Sequence, residues 1–570
     1  MNSKIAIELQ NTFGRFIQLY HLNRLDLAAP LFAESGHLWL PDRNIDAVGI
    51  EAVTAALAQM QAARIAKGVR RDVHIPHTPA YDTADNDTVG LGTWDVHSFD
   101  FTPTADETNY LLEYIYSRID CKFVQEDGMW RFLELDWWDV GSFMPWKYDP
   151  SKDEGLWKPL SELPLPPAFG GRTTVHDFYA IQNVLTRYVH NNRKYAMEDA
   201  FADRDDISLR MTPLTPQPVR GRAAVAAELK RLDELEKKNI GKYIFVPASS
   251  SPVIEVSEDG EHADAQWMAS CYSFWGEAFG ITEKPYQFIR RAGLITASFV
   301  RQDGQWRILS LDINILMALP ALPYDSHCEP GKPANGKRYQ RMGLSENRWK
   351  PALPKMGGDY PEDMPFIESR MAYWVNAYRR GEYMKYLDEN MINDEHEIMF
   401  QSRMMGRCAP PVIGTDAMRE RFQMGVFQYH HQQITNHGGM SPNIEISADG
   451  RYATMSLFDM NTTAYIPEKN SNFSNDNSVT LNIPDDWNAD NSGFDNVPCY
   501  LQFSVYQVAF AKVDGVWKHI KVDWETVGSL PDIYLAGKHS RGWAGAVTDV
   551  KYPALFKKYR YSPVRKLQKD

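Results

Sequence analysis

The chain has 570 residues and a mass of 65.3 kDa, too long for one hydrophobic core and enough for three to four domains at about 150 residues each. Hydrophobic residues make up 44% and charged residues 24%, the balance of a folded globular protein rather than a disordered one. With 61 basic against 74 acidic side chains the net charge is −13, which argues against nucleic acid or an anionic membrane as the main partner, since both demand a basic face.

The first predicted element is an amphipathic helix in MNSKIAIELQNTFGRFIQLY, where Phe13, Phe16, Ile17 and Tyr20 recur at helical spacing. Charged residues run through it, so it does not read as a signal peptide. A second helix is expected in GIEAVTAALAQMQAARI. Strands follow: HIPHTPAYDTADND, with Pro79 opening its strand, then GTWDVHSF, and last DGMWRFLELDWWDVGSFMPWKYD. In the last, an Asp-Gly turn precedes Trp130, a strong hairpin signal between alternating apolar runs.

This order returns twice. The second copy runs from VHDFYAIQNVLTRYVH through GRAAVAAELKRLDELEKK and VPASSSPVIEVSEDG to DGQWRILSLDINILMALPALPYD. The third runs from FIESRMAYWVNAYRRGEYMKYLDENM through GTDAMRERFQMGVFQYHHQQ and HGGMSPNIEISADG to DGVWKHIKVDWETVGSLPDIYL. Equivalent residues are Trp130, Trp306 and Trp517, then Asp136, Asp312 and Asp523, then Tyr148, Tyr324 and Tyr534. The strand-opening prolines are Pro79, Pro252 and Pro442. The three Asp residues, present in every copy, read as braces of the last strand. The third copy carries an inserted loop rich in Asn, Asp and Ser over 467–498. Domains are expected at 1–150, 174–325 and 365–540. Linkers containing Trp157-Lys158-Pro159 and Trp349-Lys350-Pro351 read as extended straps packed on the preceding domain. Helices on one side of curved antiparallel strands make each copy an α+β cone, a small barrel-like domain.

Other signals are bland. The five cysteines, Cys121, Cys271, Cys328, Cys408 and Cys499, form no C-x-x-C pair, which points to a reducing, cytoplasmic compartment rather than a disulfide framework. No run of 18 apolar residues occurs, so no membrane span is expected. Asp486, Asn488 and Asp490 have the alternating oxygen spacing of a calcium loop without its glycine or closing acid. His430-His431 lacks a partner one turn on, so no metal site is expected. Phosphate-loop, dinucleotide and nucleophile-elbow signatures are missing, and no cofactor is expected.

The order of elements, the G-x-x-A-V opening of the second helix, the Pro-led strand and the final D-G-x-W hairpin resemble the SnoaL-like, nuclear-transport-factor-2-like superfamily, in three tandem copies. The resemblance implies an α+β cone with a pocket. The superfamily includes dehydratases, isomerases, cyclases and binding modules, and its single-domain members form dimers or trimers through their sheets. In its dehydratases a His before the Pro-led strand points into the cone, and here His74 and His437 match that position. A second His of scytalone dehydratase on a later strand falls near His97. Catalytic members also carry an acid just after the tyrosine that ends helix one. Here Tyr20 is followed by His21, Leu22, Asn23, Arg24 and Leu25, so that acid is missing or displaced.

The copies can be compared with each other. Five residues before the Pro, copies one and three have His74 and His437, whereas copy two has Pro247. Copies one and three also share D-W-x-x-V-G-S, which copy two lacks, so copy two reads as a degenerate scaffold. Imidazole titrates near neutrality and can take and return a proton in one turnover. Asp95 and His97 are two apart, hence on one strand face, either beside His74 or on a solvated side. Tyr20 either packs in the core or donates to a substrate oxygen.

The leading reading is a cofactor-independent lyase (dehydratase) or isomerase acting on a small hydrophobic or aromatic ring compound. His74 is the general acid/base, Asp95, His97 and Tyr20 are auxiliaries, and His437 marks a second pocket. The alternatives are a non-catalytic ligand-binding or assembly protein, or a polyketide-type cyclase. In assembly, copies one and three are expected to pair, leaving copy two to form a homodimer; a pseudo-trimer within the chain is the other possibility.

Overall fold

A computed structural model describes residues 3–66, 72–84, 87–103, 110–148, 160–190, 200–212, 214–238, 243–275, 286–318, 322–324, 353–380, 383–404, 407–408, 411–420, 433–465 and 499–530. The inserted loop with its Asp486–Asp490 stretch, His430-His431, Tyr534 and the Trp-Lys-Pro tripeptides of both straps lie outside them.

The first domain runs α1 (Ser3–His21), β1 (Phe32–Leu40), β2 (Ile45–Val48), α2 (Ile50–Ala66), β3 (Val73–Ala84), β4 (Val89–Pro103), β5 (Tyr110–Glu126) and β6 (Met129–Tyr148). Its sheet order is β2-β1-β6-β5-β4-β3. The long strands β3 to β6 are antiparallel neighbours, as the hairpin signals require. The sequence reading lacks the short β1–β2 pair, and β1 joins β6 in parallel, so the sheet is mixed.

The second domain repeats this with α3 (Val175–His190), β7 (Ser208–Met211), β8 (Thr215–Arg220), α4 (Arg222–Lys238), β9 (Tyr243–Val256), β10 (His262–Trp275), β11 (Tyr286–Gln302), β12 (Gln305–Ala318) and β13 (Leu322–Tyr324). The third has α5 (Met364–Arg380), α6 (Tyr383–Asn390), β14 (Met399–Met404), β15 (Arg407–Cys408), β16 (Val412–Ile413), β17 (Gln433–Ile446), β18 (Tyr452–Tyr465), β19 (Cys499–Val513) and β20 (Val516–Leu530). The sheet orders β8-β7-β12-β11-β10-β9 and β15-β14-β20-β19-β18-β17 match the first, and each path is open. The cones are thus curved open sheets, not closed barrels.

Two repeated signals have clear backbone causes. Asp127-Gly128, Asp303-Gly304 and Asp514-Gly515 all have positive φ at both residues, the two-residue turn whose twist suits a hairpin. Pro79, Pro252 and Pro442 do not open their strands. Each lies inside β3, β9 or β17, directly after a residue of positive φ: Thr78 (52°), Ser251 (48°) and Ser441 (51°). The ladder register slips at each of these points, and a bulge is where a residue without an N–H is tolerated in a sheet.

These bulges sit where the domains meet. Helix α1 packs on β9 of the second domain, α3 on β17 of the third, and α5 on β3 of the first, which closes a ring within one chain. Asn11 of α1 clamps the backbone of Ile254, donating to its carbonyl at 2.9 Å and accepting from its N–H at 3.0 Å. Asn183 of α3 grips Ile444 in the same way. Arg15 pairs with Glu255 and Arg187 with Glu445, again as equivalents. Gly14 lets α1 approach closely, since a Cβ there would lie 2.6 Å from the Pro252 carbonyl oxygen. The polar face of α1 is therefore buried: Gln10, Asn11, Arg15 and Gln18 are all 6% exposed or less.

At the bulges Gly439 N–H donates to Thr78 Oγ1 at 2.8 Å, and Ser249 N–H donates to Ser441 Oγ at 2.6 Å. The third member of this set would be the N–H of residue 76 to Ser251, but residue 76 is Pro. Ser251 Oγ is buried without a hydrogen-bond partner. This ring differs from the pairing of copies one and three with copy two left over. Every domain instead lays a helix on the bulged strand of another: α1 on β9, α3 on β17 and α5 on β3.

Among the described residues no helix is long and apolar enough to cross a membrane. Cys121 and Cys271 are buried free thiols, and burial pushes the Cys271 thiol up to about 12.

Candidate active site in the first domain

The site forms where α1 ends, where β3 begins, and on the concave face of β4 and β6. Backbone pairing sets His74 of β3 opposite Ser98 of β4. His74 Nδ1 lies 2.7 Å from Ser98 Oγ, and His74 Nε2 lies 3.1 Å from Asp72 Oδ2. Tyr20 donates its hydroxyl to the same Asp72 oxygen at 2.9 Å. Arg64 of α2 holds the other carboxylate oxygen through Nε at 3.0 Å and a terminal nitrogen at 2.5 Å. Trp137 of β6 sets its ring edge-on to His74, with centroids 4.6 Å apart, and Arg43 lies over Trp137 at 4.4 Å. His74 and Ser98 are fully buried, at 1% and 0% exposure.

The charge states follow. Burial would raise the Asp72 carboxyl, but Arg64 and then His74 outweigh it and hold it well below the usual range, so Asp72 is ionised. Burial lowers His74 to about 4 against the opposing pull of Asp72, with Arg43 and Arg64 adding to the drop, so the ring is neutral at pH 7. A carboxylate only accepts, so the ring hydrogen sits on Nε2 and Nδ1 presents its lone pair to the Ser98 hydroxyl. His21 is fixed too: its Nδ1 donates to the Ile17 carbonyl at 2.6 Å, leaving Nε2 to accept the His74 backbone N–H at 2.7 Å. Burial, then His74, lower His21 to about 3, which keeps it the neutral acceptor that this bond needs.

Behind Ser98 lies a second hydroxyl, Ser117, at 3.5 Å, which donates to Asp139 at 2.9 Å. Ser98 can therefore point its hydrogen at His74, or turn it to Ser117 and accept from a protonated His74. The network is satisfied for either protonation state of the ring.

The structure brings together His74 and Tyr20 from the sequence candidates, with Tyr20 donating to Asp72 and not toward a substrate. Asp95 and His97 are not beside His74. The register pairs His74 with Ser98, so the alternating residues Asp95 and His97 project from the opposite face. That face is not solvated. His97 packs on His77 with ring centroids 4.3 Å apart, and Gly438 of the third domain lies against the His77 ring. Asp95 pairs with Arg118 at 3.7 Å in this interdomain seam. The backbone of His437 pairs with Asn461 in the register of His74 and Ser98, while its side chain lies outside the described residues. In the second domain the equivalent pair is Pro247 and Cys271, with neither imidazole nor hydroxyl.

Sequence reasoning missed Asp72, Ser98, His21 and Arg64. Asp72 lies two residues before His74, a spacing that the period of a strand places on one face. The Asp braces differ between copies. Asp312 does brace its strand, through Arg210 at 2.7 Å, whereas Asp136 is pushed up to about 6 by burial and by Glu134 and Asp120. Asp523 lies 3.9 Å from Lys521. His519, in the third domain, fills the core position of Phe132 in the first, with Tyr386 Oη at 3.4 Å.

Residues 7–136 and 173–312 match the family model described as SnoaL-like domain. Among solved structures, a putative scytalone dehydratase from Novosphingobium aromaticivorans is 17% identical, covering 25% of this chain and 90% of its own, with a TM-score of 0.21. A hexachlorocyclohexane dehydrochlorinase LinA-type3 from Novosphingobium barchaimii is 12% identical, covering 24% and 86%, with a TM-score of 0.20. An ntf2-like protein with a cystatin-like fold, also from Novosphingobium aromaticivorans, is 16% identical, covering 23% and 79%, with a TM-score of 0.19. No curated protein sequence matches the chain significantly. The first and second units, residues 7–136 and 173–312, are SnoaL-like domains, and the third repeats their sheet order in the same chain.

Proposed function

We propose that the first domain is a cofactor-independent lyase, a dehydratase, or an isomerase, acting on a small hydrophobic or aromatic ring compound by proton transfer at His74. The observation that carries this reading is the buried pairing of an ionised carboxylate, Asp72, with a neutral imidazole, His74, walled by Tyr20 and Trp137. A neutral ring at pH 7 is a base ready to act, and Asp72 stabilises the imidazolium that forms. In dehydration, Nδ1 takes a carbon-bound proton while Ser98 turns its hydroxyl to Ser117. The leaving hydroxyl then departs with that proton as water. In isomerisation the same proton returns to another carbon. His437 would mark a second pocket, and a reducing, cytoplasmic setting suits the free Cys121 and Cys271.

The test is turnover of a panel of ring alcohols and β,γ-unsaturated ketones, followed by ultraviolet absorbance. His74→Ala should lower turnover about 10²-fold or more, the scale of losing a general acid/base, with little change in binding. Equal turnover by a His74→Ala, His437→Ala double variant would overturn the reading.

A further inference from the structure

We propose that Ser98 is a nucleophile activated by His74 and Asp72, and that the first domain therefore also carries out acyl transfer from small hydrophobic esters or thioesters to water. Three groups stand in line: the Ser98 hydroxyl, the His74 imidazole 2.7 Å from it, and the Asp72 carboxylate 3.1 Å beyond the other ring nitrogen. A hydroxyl, a base and an orienting carboxylate in that order are recognised by geometry and not by fold or chain position.

The hydrogens settle the direction of the line. Asp72 can only accept, so His74 Nε2 carries the ring hydrogen and Nδ1 carries the lone pair. The hydrogen between Nδ1 and Ser98 is then the serine's own, which is the resting arrangement of an activated hydroxyl. The carboxylate is held from behind by Arg64 and Tyr20, and the His74 backbone is tied to His21. The pairing of β3 with β4 places His74 and Ser98 opposite each other on rigid strands. Ser117, the neighbouring hydroxyl, faces a carboxylate with no imidazole between them, so it lacks a base of suitable strength.

In the forward step Ser98 Oγ bonds to the acyl carbon and its proton passes to His74 Nδ1. The carbon–oxygen or carbon–sulfur bond of the substrate breaks, and the departing alcohol or thiol takes the proton from Nδ1. Water then attacks the acyl-serine, gives its proton to Nδ1, and the carboxylic acid leaves as that proton returns to Ser98 Oγ. Arg43 lies over the Trp137 ring, which in turn meets His74 edge-on, and is a cation on that wall of the site.

The experiment needs no carbon-acid substrate, so it stands apart from the elimination reading and can succeed or fail without it. The full chain is treated with diisopropyl fluorophosphate at pH 7.5 and analysed by intact mass and peptide mapping. One phosphoryl adduct at Ser98 is expected, formed with loss of fluoride. Its rate should fall at least about 10²-fold in His74→Ala, the scale of losing the base. A wild-type chain that stays unlabelled, an adduct at Ser117 or any other serine, or an equal labelling rate in His74→Ala would overturn the proposal. Burst hydrolysis of p-nitrophenyl butyrate by the wild type, absent from Ser98→Ala of unchanged circular dichroism, is the second expected result. A burst that survives in Ser98→Ala would overturn it as well.

Discussion

Asp72→Asn keeps the size of the side chain and removes its charge. Arg64, 15% exposed, then loses the carboxylate to which it gives two bonds, and Tyr20 and His74 lose an ionic acceptor. Breaking a buried ion pair by deleting one partner costs about 3–5 kcal/mol, and the residual exposure of this pair puts the expected loss near the lower end, about 3 kcal/mol. The sign of the pH dependence is fixed as well. Asp72 has a folded value well below its unfolded 3.8, so its contribution is fully present above 3.8 and is lost as pH falls from there through the folded value. Urea unfolding of both chains at pH 7 and at pH 3 is the assay. The gap between them should be near 3 kcal/mol at pH 7 and begin to shrink at pH 3, where the unfolded carboxyl takes up its proton while the folded one stays ionised. A gap below about 0.5 kcal/mol at pH 7, the size of an ordinary surface substitution, would refute the assignment of Asp72 as the buried counter-charge of Arg64.

The two buried bulge serines should differ. Ser441→Ala strands the Ser249 N–H and should cost about 1–3 kcal/mol, while Ser251→Ala removes an already unpartnered hydroxyl and should be neutral or stabilising by thermal unfolding. His74 and His21 should stay neutral to about pH 5 by nitrogen-15 NMR. Their folded values, about 4 and 3, lie below the free 6.5, so the stability they contribute is present above pH 6.5 and is lost as pH falls toward those values. Glu368 of α5, to which Tyr179 of α3 donates at 2.8 Å, is raised by burial to about 7. Its stabilising contribution is present below 4.5 and lost as pH rises through 7, so Glu368→Gln should stabilise the chain at pH 8 and not at pH 4. Light scattering should give a monomer of 65.3 kDa if the intrachain ring replaces association between chains, and a homodimer would require a contact outside that ring.

Much of this molecule was legible in its sequence, and the rest was hidden for identifiable reasons. The Asp-Gly hairpins show because turn chemistry is local, whereas the repeated prolines mark bulges within strands and not the strand starts expected of them. The position of His74 shows because copy two lacks it. The partners of His74 do not show, since a one-residue register decides whether strand β4 offers His97 or Ser98, and no local signal fixes that register. The polar face of α1 looks solvated in sequence because Asn11 and Arg15 ordinarily face water. Their partners, Ile254 and Glu255, are more than two hundred residues away. The β1–β2 pair is hidden because β2 has only four residues and Glu34-Ser35-Gly36 breaks the alternation of β1.

The ring also sets a timetable for synthesis. The outer face of β3 and β4, with His77, Asp95 and His97, is covered only when α5 and β17 of the third domain arrive. On a ribosome adding about 5–20 residues per second, α5 begins roughly 216 residues after β6 completes the sheet, a delay of roughly 10–45 s. Throughout that interval the first domain is a finished sheet with an unfinished back, and its nearest available cover is another nascent copy of itself. Slower growth of the chain should therefore favour aggregation over yield, and a chaperone that shields β3 should favour yield.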